Sequence, residues 1–314
     1  MPDQKKVLFI DTAHPVLQDD LQAMGFNCDY FPEADLAAYQ QMAHEYEGFV
    51  VRSKIPLDDQ ILPLAKKLKF IARVGAGMEN IDVDLAEKLG IVCLNAPEGN
   101  RDAVGEHVIG MLLSLWNKLP QVDREVRQGV WIRAENRGIE IKGKTIALIG
   151  YGNTGSATAR KLSGFEANVI AYDKYKHDFS DKYVQEVRMQ TIFEQADVLS
   201  LHVPLTEETN YLVNTAFLQY FKKPIYLINT ARGKVVNTAD LVTGLQQGKV
   251  LGACLDVLEF EKFSFEALGS ETLPATFKKL LELPNVLLSP HIAGWTHESH
   301  YKLSKVLADK IKVL

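Results

Sequence analysis

Short, unbroken apolar runs separated by helix-length stretches recur along almost the whole chain. VLFID (7–11), GFVVRS (48–53), FIARVG (70–75) and IVCLN (91–95) form one series. TIALIGYG (145–152), NVIAYD (168–173), DVLSLHVP (197–204), PIYLINTA (224–231), LGACLDVL (251–258) and NVLLSPH (285–291) form a second. A strand with one wet face alternates polar and apolar residues. These runs do not alternate, so both faces are covered, as in parallel sheets. Strand–helix alternation in two blocks predicts an α/β protein with two doubly wound parallel-sheet domains. At 314 residues the chain has length enough for both.

Composition narrows the function. With 46% hydrophobic residues a large core can be buried, so neither disulfides nor metals are needed to hold the fold. A net charge of −5 offers no basic footprint for nucleic acid. Cys28, Cys93 and Cys254 are odd in number and widely spaced, with no CxxC. They read as small hydrophobes in a reducing compartment, and no clustered soft ligands suggest a metal. The first apolar run is too short for a signal-peptide core, and no stretch approaches the roughly 20 apolar residues of a membrane span. A cytoplasmic protein with no membrane partner is expected. Between the blocks, AVGEHVIGMLLSLWNK is apolar around more of its circumference than a surface helix should be. It predicts a helix that also packs against a second subunit, giving a homodimer through residues 102–131.

TIALIGYGNTGSATARKL places Gly150, Gly152 and Gly155 as GxGxxG after a strand and at the opening of a helix. That context is the one a dinucleotide requires. Gly150 permits the tight turn, Gly152 lets the backbone approach a pyrophosphate, and Gly155 lets helix and strand pack closely. The helix N-terminus supplies N–H groups for phosphate. Asp173, at the end of the next strand, can accept the ribose hydroxyls and would repel a 2′-phosphate, which favours NAD over NADP.

Three later strand ends each deliver ionisable groups. Arg232 follows INTA, Asp256, Glu259 and Glu261 follow the next strand, and His291 follows the last. In open α/β sheets ligands sit beyond the carboxyl ends of strands, so these loops are expected to converge with the nicotinamide end of a bound dinucleotide.

With these stretches in place the chain resembles the D-2-hydroxyacid dehydrogenase family, most closely its phosphoglycerate dehydrogenase branch. The resemblance is carried by VRS (51–53), RVGAGMENID (73–82), NAPEGN (95–100), GYGNTG (150–155), NTARGKVV (229–236), GACLDVLEFE (252–261) and SPHIAGWT (289–296). It implies a catalytic set of Arg232, Glu261 and His291. Arg232 would hold a substrate carboxylate and polarise its carbonyl. His291 would exchange the proton, and Glu261 would orient His291. Counting from Asp256 selects Glu261, with Glu259 as competitor; the family usually has proline next, where this chain has Lys262. The resemblance also assigns Asn153, Thr154, His202, Val203, Pro204, Thr230, Ala231, Asp256 and Gly294 to the cofactor, Asp256 as an acceptor from the carboxamide.

On the substrate side, Arg52, Ser53 and Arg73 stand at strand ends, and Gly75, Ala76 and Gly77 offer backbone N–H groups to an anion. Two arginines favour a substrate with more than one negative charge, and phosphate suits them. Asn100 is a further candidate contact, and Arg133 would approach from the partner subunit. The family layout implies a flavodoxin-like substrate domain of residues 1–98 plus 289–314 and a dinucleotide domain of 99–288. The expected activity is NAD-dependent interconversion of 3-phosphoglycerate and 3-phosphohydroxypyruvate for serine synthesis, without a regulatory domain. The alternatives are a glyoxylate/hydroxypyruvate reductase or D-lactate-type enzyme, and an NAD-sensing scaffold like the corepressors of this fold.

Overall fold

The computed structural model describes residues 5–261 and 273–314. Lys262 and the segment just after it lie outside the described residues. Two compact units result: residues 5–101 with 295–314, and residues 102–261 with 273–294.

The first unit holds β1 (Lys6–Phe9), β2 (Asn27–Tyr30), β3 (Gly48–Val51), β4 (Phe70–Arg73) and β5 (Val92–Leu94). Their order is β2-β1-β3-β4-β5, with every pairing parallel. This is the flavodoxin-like doubly wound order. Side chains of a strand alternate between faces, and the core divides accordingly. Leu8, Phe49, Val51 and Ile71 pack on one side with Tyr39. Val7, Phe9, Val50 and Phe70 pack on the other with Leu303 and Leu307 of the helix His297–Ile311. Burial on both faces is why β3 reads as an unbroken apolar run.

The second unit holds β6 (Thr145–Ile149), β7 (Asn168–Tyr172), β8 (Gln185–Glu186), β9 (Val198–Leu201), β10 (Ile225–Asn229), β11 (Val250–Leu255) and β12 (Val286–Leu288). The order β12-β11-β10-β9-β6-β7-β8 is again parallel throughout. The order reverses at β6 and β9, the switch point at which such sheets bind nucleotides. Ala147 and Ile149 face one core and Ile146 and Leu148 the other. Ile225, Leu227 and Ile228 of β10 are wholly enclosed. Truncating such a residue to alanine costs roughly 2–5 kcal/mol, so β10 is a firm base for the Arg232 turn at its end.

Two strands escape the sequence reading. Both β2 and β8 are edge strands with partly exposed side chains, so neither NCDY nor QE carries an apolar run. The long central helix also starts earlier than expected. It spans Pro97–Trp116, because proline suits the first helical position and Glu98 complements the dipole there. Asn100 and Arg101 therefore sit on a helix and not in a loop. Within the second unit this helix buries Val108, Ile109, Met111, Leu112 and Trp116. Its apolar character is thus largely used inside one chain.

Candidate active site

Parallel strands deliver all their carboxyl ends to one edge, and the second unit concentrates its chemistry there. After β6 the chain turns at Gly150, whose φ is +94° and where a Cβ would lie 2.3 Å from the His202 carbonyl oxygen. A Cβ on Gly155 would lie 2.2 Å from the Gly150 oxygen, so helix and strand touch through hydrogen alone. Gly152 has open space around its missing side chain, which is where a pyrophosphate needs room. No side chain caps the helix Asn153–Leu162 that begins here, leaving its first N–H groups for an anion.

His202 steadies this loop from β9. Its Nε2 lies 2.9 Å from Ser200 Oγ and its Nδ1 3.2 Å from Thr154 Oγ1. Burial pushes its pKa down to about 4, so it is a neutral bridge between sheet and helix N-terminus. Val203 packs against the core and touches the space beside Gly150, and the exposed Pro204 accepts from Thr209 Oγ1 at 2.6 Å. Asp173 follows β7 directly. Burial works against its ionisation, but N–H groups of Tyr151, Tyr175 and Lys176 at 2.8, 2.9 and 3.0 Å hold its carboxyl below the usual range. Lys174 is paired with Glu208, and Lys176 lies over the Tyr151 ring. Thr230 Oγ1 is buried without a hydrogen-bond partner among the described residues. An unmet hydroxyl costs folding energy and suits a ligand that arrives later. Glycine turn, uncapped helix, ionised Asp173 and orphaned Thr230 together fit a dinucleotide.

Arg232 is placed by a residue that sequence reasoning missed. Asn229, fully buried at the end of β10, accepts from the Ala231 N–H at 3.0 Å and donates to the Arg232 carbonyl at 2.9 Å. The turn is locked, and the guanidinium donates to the Ala231 carbonyl at 2.6 Å. A Cβ on Gly233 would lie 2.0 Å from the Leu258 carbonyl carbon. Glycine there lets the Arg232 turn lie directly against the segment that leads to Glu261.

His291 Nδ1 lies 2.7 Å from Glu261 Oε2. The carboxylate accepts only, so Nδ1 carries the proton and Nε2 is the ring atom that can exchange one. The other Glu261 oxygen accepts from the Leu258 N–H, which fixes the carboxylate. Glu259 instead accepts from the Thr238 N–H at 3.2 Å. His291 itself has φ +54°, a left-handed conformation that a non-glycine residue adopts only when its surroundings impose it. Asp256 imposes it. Its carbonyl accepts from the His291 N–H at 2.7 Å, and its carboxylate accepts from Ser289 Oγ, Ile292 N and Ala293 N at 2.5, 2.9 and 2.8 Å. Asp256 is only 1% exposed. Burial opposes its ionisation, yet His107, Ser289 and the two backbone donors bring its pKa down to about 2. Read from sequence as an acceptor for nicotinamide, Asp256 spends three lone pairs on the loop from Ser289 to Ala293, just before Gly294.

In the first unit, Asp11 at the end of β1 gathers the N–H groups of Arg52, Ser53 and Lys54 at 2.7, 3.1 and 3.1 Å. The Arg52 guanidinium lies 4.2 Å from the Trp295 ring centroid. Arg73 folds back over Gly75, where a Cβ would overlap its Nη1. The Gly75 N–H donates to the Arg73 carbonyl at 2.8 Å, so it is not the open anion donor the sequence suggested. The Ala76 carbonyl accepts from Asn95, and Gly77 is partly exposed beside it. Asn100 Oδ1 is buried without a partner among the described residues. Arg133 is exposed in the second unit. Among the described residues no group of His, Cys, Asp and Glu could hold a metal, and no helix is long and apolar enough to cross a membrane.

Residues 109–293 match the family described as D-isomer specific 2-hydroxyacid dehydrogenase, NAD binding domain. A D-3-phosphoglycerate dehydrogenase of Archaeoglobus fulgidus is 38% identical over 85% of this chain and 49% of its own length. A hydroxypyruvate reductase of Thermotoga maritima is 36% identical over 85% of this chain and 84% of its own. The chain thus spans about half the first relative and most of the second. Among solved structures, a D-lactate dehydrogenase from Aquifex aeolicus complexed with NAD and lactic acid superposes with a TM-score of 0.82 at 28% identity, over 98% of this chain and 95% of that one. The chain belongs to the D-isomer-specific 2-hydroxyacid dehydrogenase family and carries its NAD-binding domain.

Proposed function

With that membership as premise, we propose that the protein transfers hydride between NAD(H) and a D-2-hydroxy acid or 2-keto acid, with 3-phosphoglycerate and 3-phosphohydroxypyruvate as the pair. The observation that carries the reading is the His291–Glu261 pair at 2.7 Å on the sheet edge that also delivers Arg232 and the GxGxxG turn. NAD(H), when bound, supplies or takes the hydride at C4 of its nicotinamide. Arg232, permanently charged, holds the substrate carboxylate and draws electron density from the neighbouring carbonyl. His291 Nε2 gives a proton to the carbonyl oxygen during reduction and takes it back during oxidation. Glu261 keeps the proton on Nδ1 and offsets the charge that His291 carries in the reducing direction. Asn153, Thr154, Thr230 and Ala231 are the cofactor's neighbours in this reading.

Arg52 and Arg73 argue for a phosphate, with Ser53, Ala76, Gly77 and Asn100 around the remaining substrate. A second reading, reduction of unphosphorylated hydroxypyruvate or glyoxylate, gains support because Arg52 is already stacked on Trp295 and Arg73 folded over Gly75. Steady-state NADH oxidation with each keto acid separates them. Arginine–phosphate bonds are each stabilising by about 1.5–3 kcal/mol, so a preference for phosphohydroxypyruvate below about tenfold favours the second reading.

A homodimer belongs to the same reading. Leu119, Val126, Val130, Trp131 and Ile132 are exposed, Trp131 by 77%, so the unpartnered apolar surface lies just beyond the long helix. Arg133 adjoins it. Trp131→Glu should halve the mass measured by light scattering. The three cysteines are unpaired.

A further inference from the structure

His107 has no assigned part in the chemistry, yet it points at the root of the His291 loop. It sits on the central helix, and its Nε2 lies 3.0 Å from Ser289 Oγ and 3.4 Å from Asp256 Oδ1. Met111, one turn on, has its sulfur 3.8 Å from the same Ser289 oxygen, so one helix face covers the loop. Proton accounting fixes the direction of each bond. The ionised Asp256 carboxylate accepts only, so the single Ser289 hydroxyl proton goes to it at 2.5 Å. Ser289 must then accept from His107, and His107 Nε2 must carry a proton.

We propose that His107 is a positioning residue for the reaction: through Ser289 it orients the Asp256 carboxylate, which by its bonds to the Ile292 and Ala293 N–H groups holds the loop that keeps His291 in its left-handed conformation. Two histidine–carboxylate pairs thus act in series, Glu261 fixing the ring of His291 and the His107–Ser289–Asp256 chain fixing its backbone. Without the His107 donor, Ser289 loses its constraint and Asp256 loses a compensating hydrogen. The Ile292 and Ala293 N–H groups, both bound to Asp256, then loosen first. The inference rests on the proposed dehydrogenase activity only for its kinetic consequence.

The test uses His107→Leu, which keeps bulk and removes the donor, and His107→Gln, whose amide nitrogen can stand near Nε2. Losing a donor to a charged network should lower kcat by about tenfold or more in His107→Leu, with KM for NADH within about twofold of wild type. His107→Gln should recover most of the loss. Independently of turnover, deuterium exchange at the Ile292 and Ala293 amides should accelerate in His107→Leu while β6 and β7 stay protected. Unchanged exchange at those two amides overturns the proposal, as does a kcat loss that His107→Gln shares in full. If wild type reduces no 2-keto acid, the activity reading fails, and the exchange measurement still decides the network.

Discussion

Replacing Glu261 by glutamine changes one charge and almost no volume. Glu261 takes two donors, the His291 Nδ1–H through one oxygen and the Leu258 N–H through the other. Glutamine can accept only one of them and turns an N–H at the other. Hydrogen bonds to a charged group contribute about 1.5–3 kcal/mol and neutral ones about 0.5–1.5 kcal/mol. The difference, roughly 1–2 kcal/mol, is largest when His291 is charged, and at about 1.4 kcal/mol per decade it predicts a kcat lower by roughly 5–30-fold. Glu259→Gln is the matched control. Its bond to the Thr238 N–H is a long one, and losing it should change kcat by less than about twofold. Both variants are compared by steady-state reduction of the best keto acid at saturating NADH, with thermal midpoints as a check on folding. A Glu261→Gln enzyme within twofold of wild type, or a Glu259→Gln loss of equal size, refutes the pairing as the source of catalysis.

Thr230→Val removes a buried hydroxyl that has no partner among the described residues, so the unliganded protein should gain about 1 kcal/mol in urea unfolding while its NADH dissociation constant rises. A variant that loses stability would mean the hydroxyl is already satisfied. Gly150→Ala forces a Cβ into the His202 carbonyl at positive φ and should abolish NADH binding in fluorescence titration. His202, held near pKa 4 by burial, stabilises the fold fully above the unfolded value of about 6.5. That stability falls as pH drops from about 6.5 towards 4, by up to roughly 3 kcal/mol, because the unfolded chain binds the proton first. Denaturant midpoints across that range should show the slope in wild type and lack it in His202→Gln.

How much could be read from sequence depended on whether a residue's partner was near in the chain. Strands covered on both faces were legible because burial demands an unbroken apolar run, as in VLSL of β9. NCDY of β2 was not, since an edge strand keeps wet side chains. Arg232, His291 and the glycine turn stood out through their places after strands. Counting from Asp256 picked Glu261 over Glu259, and the difference between them is physical only in three dimensions, where Glu261 meets His291 and Glu259 accepts from the Thr238 N–H. His107 looked like one more residue of an apolar helix, because Ser289 stands 182 positions away. Asn229 and Asp11 were silent for a similar reason: a turn-organising side chain at or just past a strand end has no periodicity to betray it.

Hydride transfer itself is tested most directly by following the label from NADH deuterated at both C4 positions into product. Incubated with the preferred 2-keto acid, the enzyme should give a 2-hydroxy acid of D configuration bearing deuterium at C2, and His291→Gln should lose most of that yield. A product without deuterium at C2, one of L configuration, or NADH that binds and is never oxidised by any 2-keto acid would contradict the account.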